Sequence, residues 1–387
     1  MKTALILASV ASMIDQFNMQ NIKLLLSKGY SVDVVANFEN PGSITKERAD
    51  SLKDKLFAMG VRVFHIPIPR SIFHINRIYQ SYKQVNKLCK TEQYDLLHCH
   101  SPIGGVITRL AVAPYRKQGT KVIYTAHGFH FYKGAPLLNW MLFYPIEKFC
   151  SYLTDVLITI NKEDYHTGCN RLSAKETVFI PGIGIDTSLY CTTSEIEKNE
   201  IRKQQGIPSD SFVLLSVGEL NKNKNHEIIL RALACPTLND IHYYIIGKGA
   251  LHNYLQKLAT KLGIQSRVHL IGFRNDVQRF YQAADAFAFP SYREGLSVSL
   301  MEAMACGLPC ITSKIRGNVD LVDEGKGGYL CRPDDFNTFR SALHEIVTNK
   351  DKLQSFRQYN QCKIASIFAI EHIMTKIHKI YFEDRVE

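Results

Sequence analysis

Two glutamates eight residues apart are the strongest candidates for chemistry in this sequence. Glu294 and Gly295 follow a short apolar run, and Glu302 lies in the helical pattern that comes next. Glycine lets the backbone approach a ligand closely, and the free amides and dipole at a helix start favour an anion such as phosphate. The segment therefore predicts an anion site flanked by two carboxylates. The open alternative is a surface helix with a solvated glutamate and a capped end.

Metal ligation is a weaker interpretation of the polar residues. His98, Cys99 and His100 are consecutive, but no second ligand pair has the spacing of a zinc site. The sequence contains no Asp-x-Asp and no Cys-x-x-Cys. Several of its ten cysteines lie in apolar or helical runs, where cysteine behaves as a small buried hydrophobe. We therefore expect no metal, no disulfide framework and a reducing compartment.

The elements that must position these residues alternate regularly along the chain. Short apolar runs predict thirteen strands, and helical patterns between them predict βαβ units with parallel sheets covered on both faces. The predicted strands are 4–8, 31–36, 62–66, 96–100, 121–125, 156–160, 177–180, 212–217, 243–246, 268–271, 286–289, 310–312 and 329–331. In such sheets ligands bind beyond the carboxyl ends of the strands.

Two successive series of these units predict an α/β protein with two doubly wound parallel-sheet domains. We place the first domain at 1–190 and the second at 191–369, because a polar stretch at 192–205 separates the two series, and the alternative is a hinge nearer 181–184. The last segment, 370–387, has apolar residues at helical spacing and is expected to pack back toward the first domain.

Composition excludes several classes of protein. The 387 residues are 45% hydrophobic and 21% charged, which is typical of a globular protein and not of a disordered or fibrous one. The net charge is +11, and 12 Lys and Arg against 3 Asp and Glu fall within residues 62–148. Charge alone would allow nucleic-acid binding, but no arginine-rich tract or aromatic RNA-binding strand accompanies it, so no nucleic-acid partner is expected. The apolar N-terminus is too short for a signal peptide, and no run is long enough for a spanning helix.

Five segments, in order along the chain, resemble motifs of one family. The sequence reads YTAHG at 124–128, IPGIGID at 180–186, VGELNKNK at 217–224, GKG at 247–249, and the glutamate pair follows at 294 and 302. These resemble the N-domain histidine loop, the "PNG(V/I)D" turn, the "VGRL…K" segment, the "GxG" loop and the Glu-x7-Glu motif of family 4 of the retaining glycosyltransferases. The resemblance covers nearly the whole chain. Segments 11–17 and 127–132 also resemble a bacterial capsular and exopolysaccharide subgroup.

The resemblance implies the GT-B fold, in which two Rossmann-like domains face each other across a cleft, and it implies roles for individual residues. Lys224 is similar to the lysine that neutralises the donor diphosphate, and Glu302 to the glutamate that binds the ribose hydroxyls. Glu294 is similar to the glutamate nearer the transferred sugar, and His127 to the histidine beside the reacting centre. The alternatives are a solvated lysine for Lys224 and a structural histidine for His127.

The remaining candidates form two groups. The donor-binding candidates, besides those with assigned roles, are Gly218, Gly247, Gly249, Gly295, Leu296 and Ser297. The acceptor-side candidates are Ser12, Asp15, Gln16, Phe129 and His130.

Two departures from the family pattern affect the donor phosphates. The usual arginine beside the lysine is Glu219, so one positive charge is missing, and Lys222 or Arg274 are candidates to replace it. The usual glycine-rich loop after the first strand is Ser-Val-Ala-Ser at 9–12, so backbone approach there is less free.

The two glutamates favour ligand binding over a nucleophile–acid pair. Retaining glycosidases place two carboxylates about 5 Å apart, whereas eight helical residues span about 12 Å. The resemblance implies a retaining transfer in which the acceptor hydroxyl attacks from the side that the nucleotide leaves, with the diphosphate taking the proton. It also implies closure of the domains over the donor. We expect no cofactor, since the nucleotide sugar is a substrate.

The expected partners are a nucleotide-sugar donor, with UDP favoured, and a saccharide acceptor on a polyprenyl diphosphate. The product would be capsule, exopolysaccharide or another surface glycan. Such an acceptor and the basic residues within 62–148 predict a cytoplasmic protein that binds peripherally to the anionic inner leaflet of the cell membrane. Two alternatives are a GT-B-fold nucleotide-sugar epimerase, which would need no acceptor, and a diverged, non-catalytic binder of sugar nucleotides.

Overall fold

A computed structural model describes residues 1–383 of the chain. The chain divides into two units, Met1–Pro181 with residues from Ile373 onward, and Gly182–His372. The predicted terminal segment 370–387 extends into residues 384–387, which lie outside the described residues.

The first unit is a seven-stranded parallel sheet covered by helices on both faces. Its strand order is β3-β2-β1-β4-β5-β6-β7. Strands and helices follow one another as β1 (Thr3–Val10), α1 (Ala11–Phe17), α2 (Met19–Ser27), β2 (Ser31–Asn37), α3 (Lys46–Ala58), β3 (Arg62–His65), α4 (Ile75–Glu92), β4 (Leu96–His100), α5 (Pro102–Arg116), β5 (Lys121–Ala126), α6 (Leu137–Ser151), β6 (Val156–Thr159), α7 (Lys162–Arg171) and β7 (Glu176–Phe179).

The second unit is a six-stranded parallel sheet with the order β10-β9-β8-β11-β12-β13. Its elements are α8 (Glu195–Gln205), β8 (Phe212–Val217), α9 (His226–Leu233), β9 (Ile241–Ile246), α10 (His252–Lys261), β10 (Val268–Gly272), α11 (Val277–Ala283), β11 (Ala286–Phe289), α12 (Val298–Ala305), β12 (Cys310–Ser313), α13 (Asn318–Leu321), β13 (Gly328–Cys331), α14 (Phe336–Thr348) and α15 (Lys350–Lys363), and the chain then enters α16 (Ile370–Phe382), which returns to the first unit. A π-helical turn, Ile364–Phe368, precedes α16, and single 3₁₀ turns lie at Lys222–Lys224, Pro236–Leu238 and Gln265–Arg267.

The strands are buried on both faces, which explains their apolar runs. Residues 4–8 of β1 are fully buried, and residues 286–289 of β11 are at most 2% exposed. One apolar core lies on each face of each sheet. This arrangement is the two-domain parallel α/β architecture that the sequence predicts, and the predicted strands coincide with β1 to β13 to within a few residues.

The division between the units falls nine residues before residue 190, at the alternative hinge within 181–184. Residues 182–190 were assigned to the first domain but pack in the second unit. Ile185 is buried in its core, and the Ile185 amide donates to the Phe368 carbonyl at 2.8 Å. Gly184, with φ +82°, lies so close to Ile370 that a Cβ would be 2.6 Å from its Cα. The segment is therefore bound into the second unit by backbone contacts that its polarity does not reveal.

The C-terminal helix α16 contributes to the first unit from Ile373 onward. Ile373, Ile377, Ile380 and Tyr381 are buried in one of its two cores. The Tyr381 hydroxyl lies 2.7 Å from His98 Nδ1 on β4. No helix within residues 1–383 is both long and apolar enough to cross a bilayer.

Candidate active site

The donor-side candidates lie at the point where the strand order of the second sheet reverses. β8 and β11 are neighbours there, with Leu214 opposite Ala286, although 72 residues separate them in sequence. The loop 218–225 follows β8 and the loop 290–297 follows β11. Both loops leave the carboxyl ends of adjacent strands, which is where doubly wound sheets bind ligands.

Asparagines join these two loops. Asn225, a non-glycine residue at φ +52°, donates from Nδ2 to the Pro290 carbonyl at 3.2 Å. Asn223 donates from Nδ2 to the Arg293 carbonyl at 3.0 Å, and its own carbonyl accepts from the Tyr292 amide at 2.8 Å. The Asn-rich turn therefore fixes the position of Lys224 relative to Glu294.

Lys224 and Glu294 form an ion pair at the centre of this site. Lys224 Nζ lies 2.7 Å from Glu294 Oε1, and both side chains are less than one-fifth exposed. The ammonium also lies 4.6 Å from the centroid of the Phe289 ring, at the end of β11. Two residues that the sequence assigned to one ligand are thus brought together by adjacent strands.

Glu302 lies one turn into α12 and is bound by two tyrosines. The Tyr281 hydroxyl is 2.9 Å from Glu302 Oε2, and the Tyr190 hydroxyl also donates to this carboxylate. Burial raises the pKa of Glu302, and the two hydroxyls partly oppose that shift. The carboxylate is therefore oriented in advance and is ready to accept hydrogen bonds from a ligand's hydroxyl groups.

The glycines of the GKG segment serve backbone packing. A Cβ on Gly247, at φ +152°, would lie 1.9 Å from the Gly218 carbonyl oxygen, and one on Gly249 would lie 2.4 Å from the Leu220 oxygen. The Gly218 amide donates to the Ile246 carbonyl at 2.9 Å. Both glycines are required because the loop after β9 lies directly against the loop after β8.

The start of α12 agrees with the predicted helix opening. Ser297 is the N-cap, and its hydroxyl accepts from the Leu300 amide at 3.3 Å. The Gly317 Cα lies so close to the Gly295 carbonyl that a Cβ would be 2.2 Å from the oxygen. Leu296 packs partly buried against the core of this unit. The amides of 295–297 thus belong to a tightly packed turn.

The two candidates to replace the missing arginine differ in their surroundings. Arg274 is 2.7 Å from Asp276 and also donates to Gln205, so its charge is already paired. Lys222 is exposed at the start of the 3₁₀ turn that carries Lys224. A cation that sequence reasoning missed is Arg316, whose Nε donates to the Glu294 carbonyl at 3.4 Å. Its position in the loop after β12 gave no motif to detect.

In the first unit, His127 follows β5 and contacts a second histidine. His127 Nε2 lies 3.1 Å from His100 Nδ1 at the end of β4, so one of these nitrogens donates a hydrogen bond and the other accepts it. The His127 ring also packs edge-on against Phe17 at 5.3 Å. Burial lowers the pKa of His127 to about 4, and it lowers the pKa of His100 as well. Both rings are neutral near pH 7, and His127 is suited to accept or donate one hydrogen bond to a ligand.

His98 has an entirely structural role. Its Nδ1 lies 2.7 Å from the Tyr381 hydroxyl and its Nε2 lies 2.7 Å from the Thr125 hydroxyl, so both ring nitrogens are engaged. Cys99 is buried, and its thiol donates to the Ile123 carbonyl. Within residues 1–383, no group of three or more potential metal-binding side chains is assembled.

The acceptor-side candidates lie after β1 and β5. Ser12 is buried in α1, and Asp15 on the same helix is 2.7 Å from Arg48. Gln16 Oε1 accepts weakly from Ser43 at 3.5 Å. Phe129 is buried and stacked on Phe131, and the His130 ring stacks on Phe143 at 4.6 Å. Asp15 and Phe129 are therefore engaged in contacts within their own unit.

Sequence reasoning missed the residues that orient the candidates. Tyr190 and Tyr281 orient Glu302, and His100 contacts His127. Tyrosines and histidines at these spacings carry no local signal, because their partners are distant in sequence. The Asn-rich run at 221–225 was a visible signal, and the structure explains it as the connection between two loops.

Known families match both halves of the chain. Residues 6–161 match the family described as "Glycosyl transferase 4-like", and residues 197–362 match "Glycosyl transferases group 1".

Relatives match nearly the whole length. The chain is 35% identical over 384 residues to the putative glycosyltransferase EpsD of Bacillus subtilis, covering 98% of this chain and 96% of the relative. It is 28% identical to the UDP-Gal:alpha-D-GlcNAc-diphosphoundecaprenol alpha-1,3-galactosyltransferase of Escherichia coli, covering 97% and 95%.

A solved structure shares the fold. The crystal structure of Anabaena Alr3699/HepE in complex with UDP superimposes with a TM-score of 0.77 at 20% identity, covering 98% of this chain and 99% of that one. The named relatives are glycosyltransferases, which favours the transferase over the epimerase. From its two family matches and its full-length relatives, this chain belongs to the family 4 glycosyltransferases and is a glycosyltransferase of the GT-B fold.

Proposed function

We propose that this enzyme transfers a sugar from a UDP-sugar to a saccharide on a polyprenyl diphosphate in the synthesis of a capsule, exopolysaccharide or other surface glycan. The observation that carries the proposal is the pairing of Lys224 with Glu294 at the switch point of the second sheet, in the loop that leads into the helix of Glu302. A cation and two carboxylates there suit a ligand with a diphosphate and two sets of hydroxyl groups.

The comparisons support the choice of donor and acceptor. The name of the Escherichia coli relative specifies a UDP-linked galactose and a diphosphoundecaprenol-linked acceptor. Structures of Anabaena HepE contain UDP and UDP-glucose. The peripheral position at the inner face of the cell membrane follows from such an acceptor, whose lipid stays in the bilayer.

In the proposed mechanism Lys224 binds the diphosphate and stabilises the charge that develops as the nucleotide leaves. Glu302 accepts hydrogen bonds from the ribose, and Glu294 from the hydroxyl groups of the transferred sugar. The neutral His127 positions the sugar beside the reacting centre. The acceptor hydroxyl attacks from the side of the departing diphosphate, which takes the proton, so the anomeric configuration is retained.

We propose that no metal is needed, because Lys224 supplies positive charge and the sequence has no Asp-x-Asp to bind a divalent ion. Activity that EDTA abolishes and Mg²⁺ or Mn²⁺ restores would contradict this part of the proposal.

The first experiment is calorimetric titration of the full chain with UDP, GDP and ADP, each with and without EDTA. We expect UDP to bind at about micromolar affinity and EDTA to leave that affinity unchanged. Absence of binding by all three nucleotides would indicate that Glu219 and the Ser-Val-Ala-Ser loop have abolished the donor site, and the chain would then be a non-catalytic relative.

The second experiment measures transfer from UDP-glucose, UDP-galactose and their N-acetyl forms to a polyprenyl-diphosphate-linked N-acetylglucosamine. Proton NMR of the product gives the anomeric configuration. An α-linked product from an α-linked donor is expected, and a β-linked product would rule out retention. His127→Gln should lower kcat while UDP affinity stays unchanged, whereas an equal loss of UDP affinity would place His127 in nucleotide binding.

A further inference from the structure

Helix α6 of the first unit exposes an apolar face. Six large side chains on it are between 41% and 82% exposed, and the most exposed are Leu137 and Met141, at 82% and 73%. The six are Leu137, Leu138, Met141, Leu142, Ile146 and Phe149, and we call them the α6 face. Contiguous apolar surface of this kind marks an interaction site when it is rimmed by polar residues.

The exposed side chains occupy one half of the helix. At 100° per residue, the α6 face covers roughly half of the circumference. The exposed Pro145 lies within that half, and so does one charged residue, the half-buried Lys148, whose Nζ donates to Ser173 Oγ at 2.7 Å. The opposite half carries the buried residues Glu147, Cys150 and Ser151. The face is therefore a continuous surface.

Buried polar contacts fix the orientation of α6. Arg109 of α5 donates from Nη2 to both carboxylate oxygens of Glu147, at 3.1 and 3.0 Å. Tyr144 and Trp140 pack against Phe131, on the same buried side. This ion pair is buried and involves both carboxylate oxygens. A rotation of α6 that buried its apolar half would therefore break the ion pair.

Cations lie on the same side of the sheet. Helices α4 and α6 both pack against α5 and share one apolar core with it. Helix α4 exposes Arg77, Lys83, Lys87 and Lys90, and none of the four forms an ion pair within residues 1–383. Its one acidic residue, Glu92, is 2.5 Å from Arg62.

Further apolar side chains accompany these cations. Phe73, in the segment before α4, is 84% exposed, and Ile75 at the first position of α4 is 72% exposed. Arg171 is stacked at 5.5 Å from Trp140 of α6. The surface thus combines apolar side chains with unpaired positive charge.

We propose that the α6 face, with the cations of α4, docks this enzyme on an anionic lipid bilayer. Apolar side chains of a surface helix enter the boundary between headgroups and acyl chains, while neighbouring lysines and arginines attract anionic headgroups. α6 begins ten residues after His127, so docking places the bilayer on the unit that carries His127. The inference rests on the proposed lipid-linked acceptor and names the surface that reaches it.

Charge favours a bilayer over a second copy of the chain. In a two-fold dimer through this face, each α4 and α6 would meet the same elements of its partner. Arg77, Lys83, Lys87 and Lys90 of both copies would then approach one another without acidic side chains to pair them. An anionic bilayer supplies the missing negative charge.

The test uses co-sedimentation of the full chain with vesicles of phosphatidylcholine and phosphatidylglycerol. The test variant is Leu138→Gln/Met141→Gln, and the matched control is Phe57→Gln, which changes a residue that is 82% exposed on the opposite face of the sheet. We expect the affinity of the test variant for vesicles to be lower by about tenfold or more. The reason is that two large apolar side chains are no longer transferred from water into the bilayer. Phe57→Gln should bind as the wild type does.

A spectroscopic readout locates the contact. The chain has one tryptophan, Trp140, and it lies on α6. Vesicles with brominated acyl chains should quench its fluorescence in the wild type and in Phe57→Gln, and much less in the test variant. Wild-type protein that does not bind these vesicles would overturn the proposal. Self-association of the wild type that the test variant abolishes, without vesicle binding, would assign the α6 face to a second copy instead.

Two further measurements separate this inference from the proposed function. UDP titration and transfer to a water-soluble acceptor analogue should be unchanged in the test variant, because its substitutions lie outside the donor and acceptor residues. If UDP does not bind the wild type but vesicles do, the proposed donor fails and the docking surface stands. If UDP binds and vesicles do not, the docking surface fails alone.

Discussion

Lys224 Nζ lies 2.7 Å from Glu294 Oε1, so the cation assigned to the donor diphosphate is paired with the carboxylate assigned to the sugar. The partners come from loops after two adjacent strands, and asparagine side chains hold those loops together. In the proposed mechanism an incoming diphosphate must share or replace this pair. The carboxylate would then keep the lysine in position and become available to the sugar when the diphosphate binds the lysine.

Substitutions of Lys224 and of Glu294 should have different effects on the affinity for UDP. Lys224→Ala should weaken UDP binding by about tenfold or more, since a hydrogen bond to a charged group contributes about 1.5–3 kcal/mol. Glu294→Gln should leave UDP affinity equal or stronger, because it removes a competitor for the lysine, and lower kcat by about tenfold to a hundredfold. Calorimetry with UDP and steady-state kinetics measure both, with Lys261→Ala as an exposed-lysine control. Equal weakening of UDP binding by both substitutions would contradict the assignment.

The buried Glu302 should make UDP binding depend on pH. Burial raises the pKa of this carboxyl, and the ribose hydroxyls favour its ionised form. As the pH is lowered, Glu302 is therefore protonated earlier than an ordinary glutamate, and this protonation should weaken UDP binding.

The Glu302 effect is measured as a difference, because the nucleotide phosphate also takes up a proton as the pH is lowered. The pH dependence of UDP affinity in the wild type should be steeper than in Glu302→Gln. Tyr281→Phe removes a hydroxyl that favours the ionised carboxylate and should move the loss of affinity to higher pH. Parallel profiles for wild type and Glu302→Gln would show that this carboxyl does not titrate on binding.

The buried histidines of β4 should make the protein sensitive to acid. Burial, with a smaller effect from His127, lowers the pKa of His98 to about 3, and burial lowers that of His100 as well. In the unfolded chain both accept protons below about pH 6.5. The unfolded state then binds more protons than the folded state. The free energy of unfolding is therefore highest above that pH and decreases as the pH is lowered further. Each of these histidines lowers the free energy of unfolding by about 1.4 kcal/mol for each pH unit below the pKa of the unfolded chain.

Urea unfolding at about pH 7.5, 6 and 5 measures this dependence. His98→Gln should be less stable at the highest pH, because it loses the contact with Tyr381, and should lose less stability on acidification. A slope identical to that of the wild type would exclude His98 as a source of the acid sensitivity.

Loss of one partner of the buried Arg109–Glu147 ion pair should destabilise the protein more than replacement of both partners. Arg109 is 1% exposed, and its guanidinium also lies 3.9 Å from the Tyr124 ring centroid. Arg109→Met leaves a buried carboxylate without its cation and should lower the free energy of unfolding by about 3–5 kcal/mol. The double variant Arg109→Met/Glu147→Leu should recover most of that loss, which urea unfolding can measure. A double variant as unstable as the sum of both single variants would indicate that Arg109 and Glu147 act independently.

Periodicity and local composition were sufficient to predict the elements of the fold. The apolar run 286–289 has no room for polar side chains on either face, so it could only be a strand covered on both sides, and it is β11. The turn at Gly295 and the helix start at Ser297 were readable because capping chemistry is local. The positions of Lys224, Glu294 and Glu302 after strands followed from the same pattern, and the proposal that they bind one ligand came from the family resemblance.

Contacts between distant segments decided what the sequence left open. Metal ligation was the weaker interpretation of His98 in the sequence, and the fold places Tyr381, 283 residues later, on one of its nitrogens. Arg274 resembled a free cation, but Asp276 neutralises it. The exposed apolar half of α6 became apparent only when Arg109 fixed the orientation of the helix. Sequence alone determined which elements form and where their ends lie, because propensity and capping act over a few residues. The tertiary structure decided which side chains meet, because burial and ion pairing depend on strands and helices that are neighbours only in space.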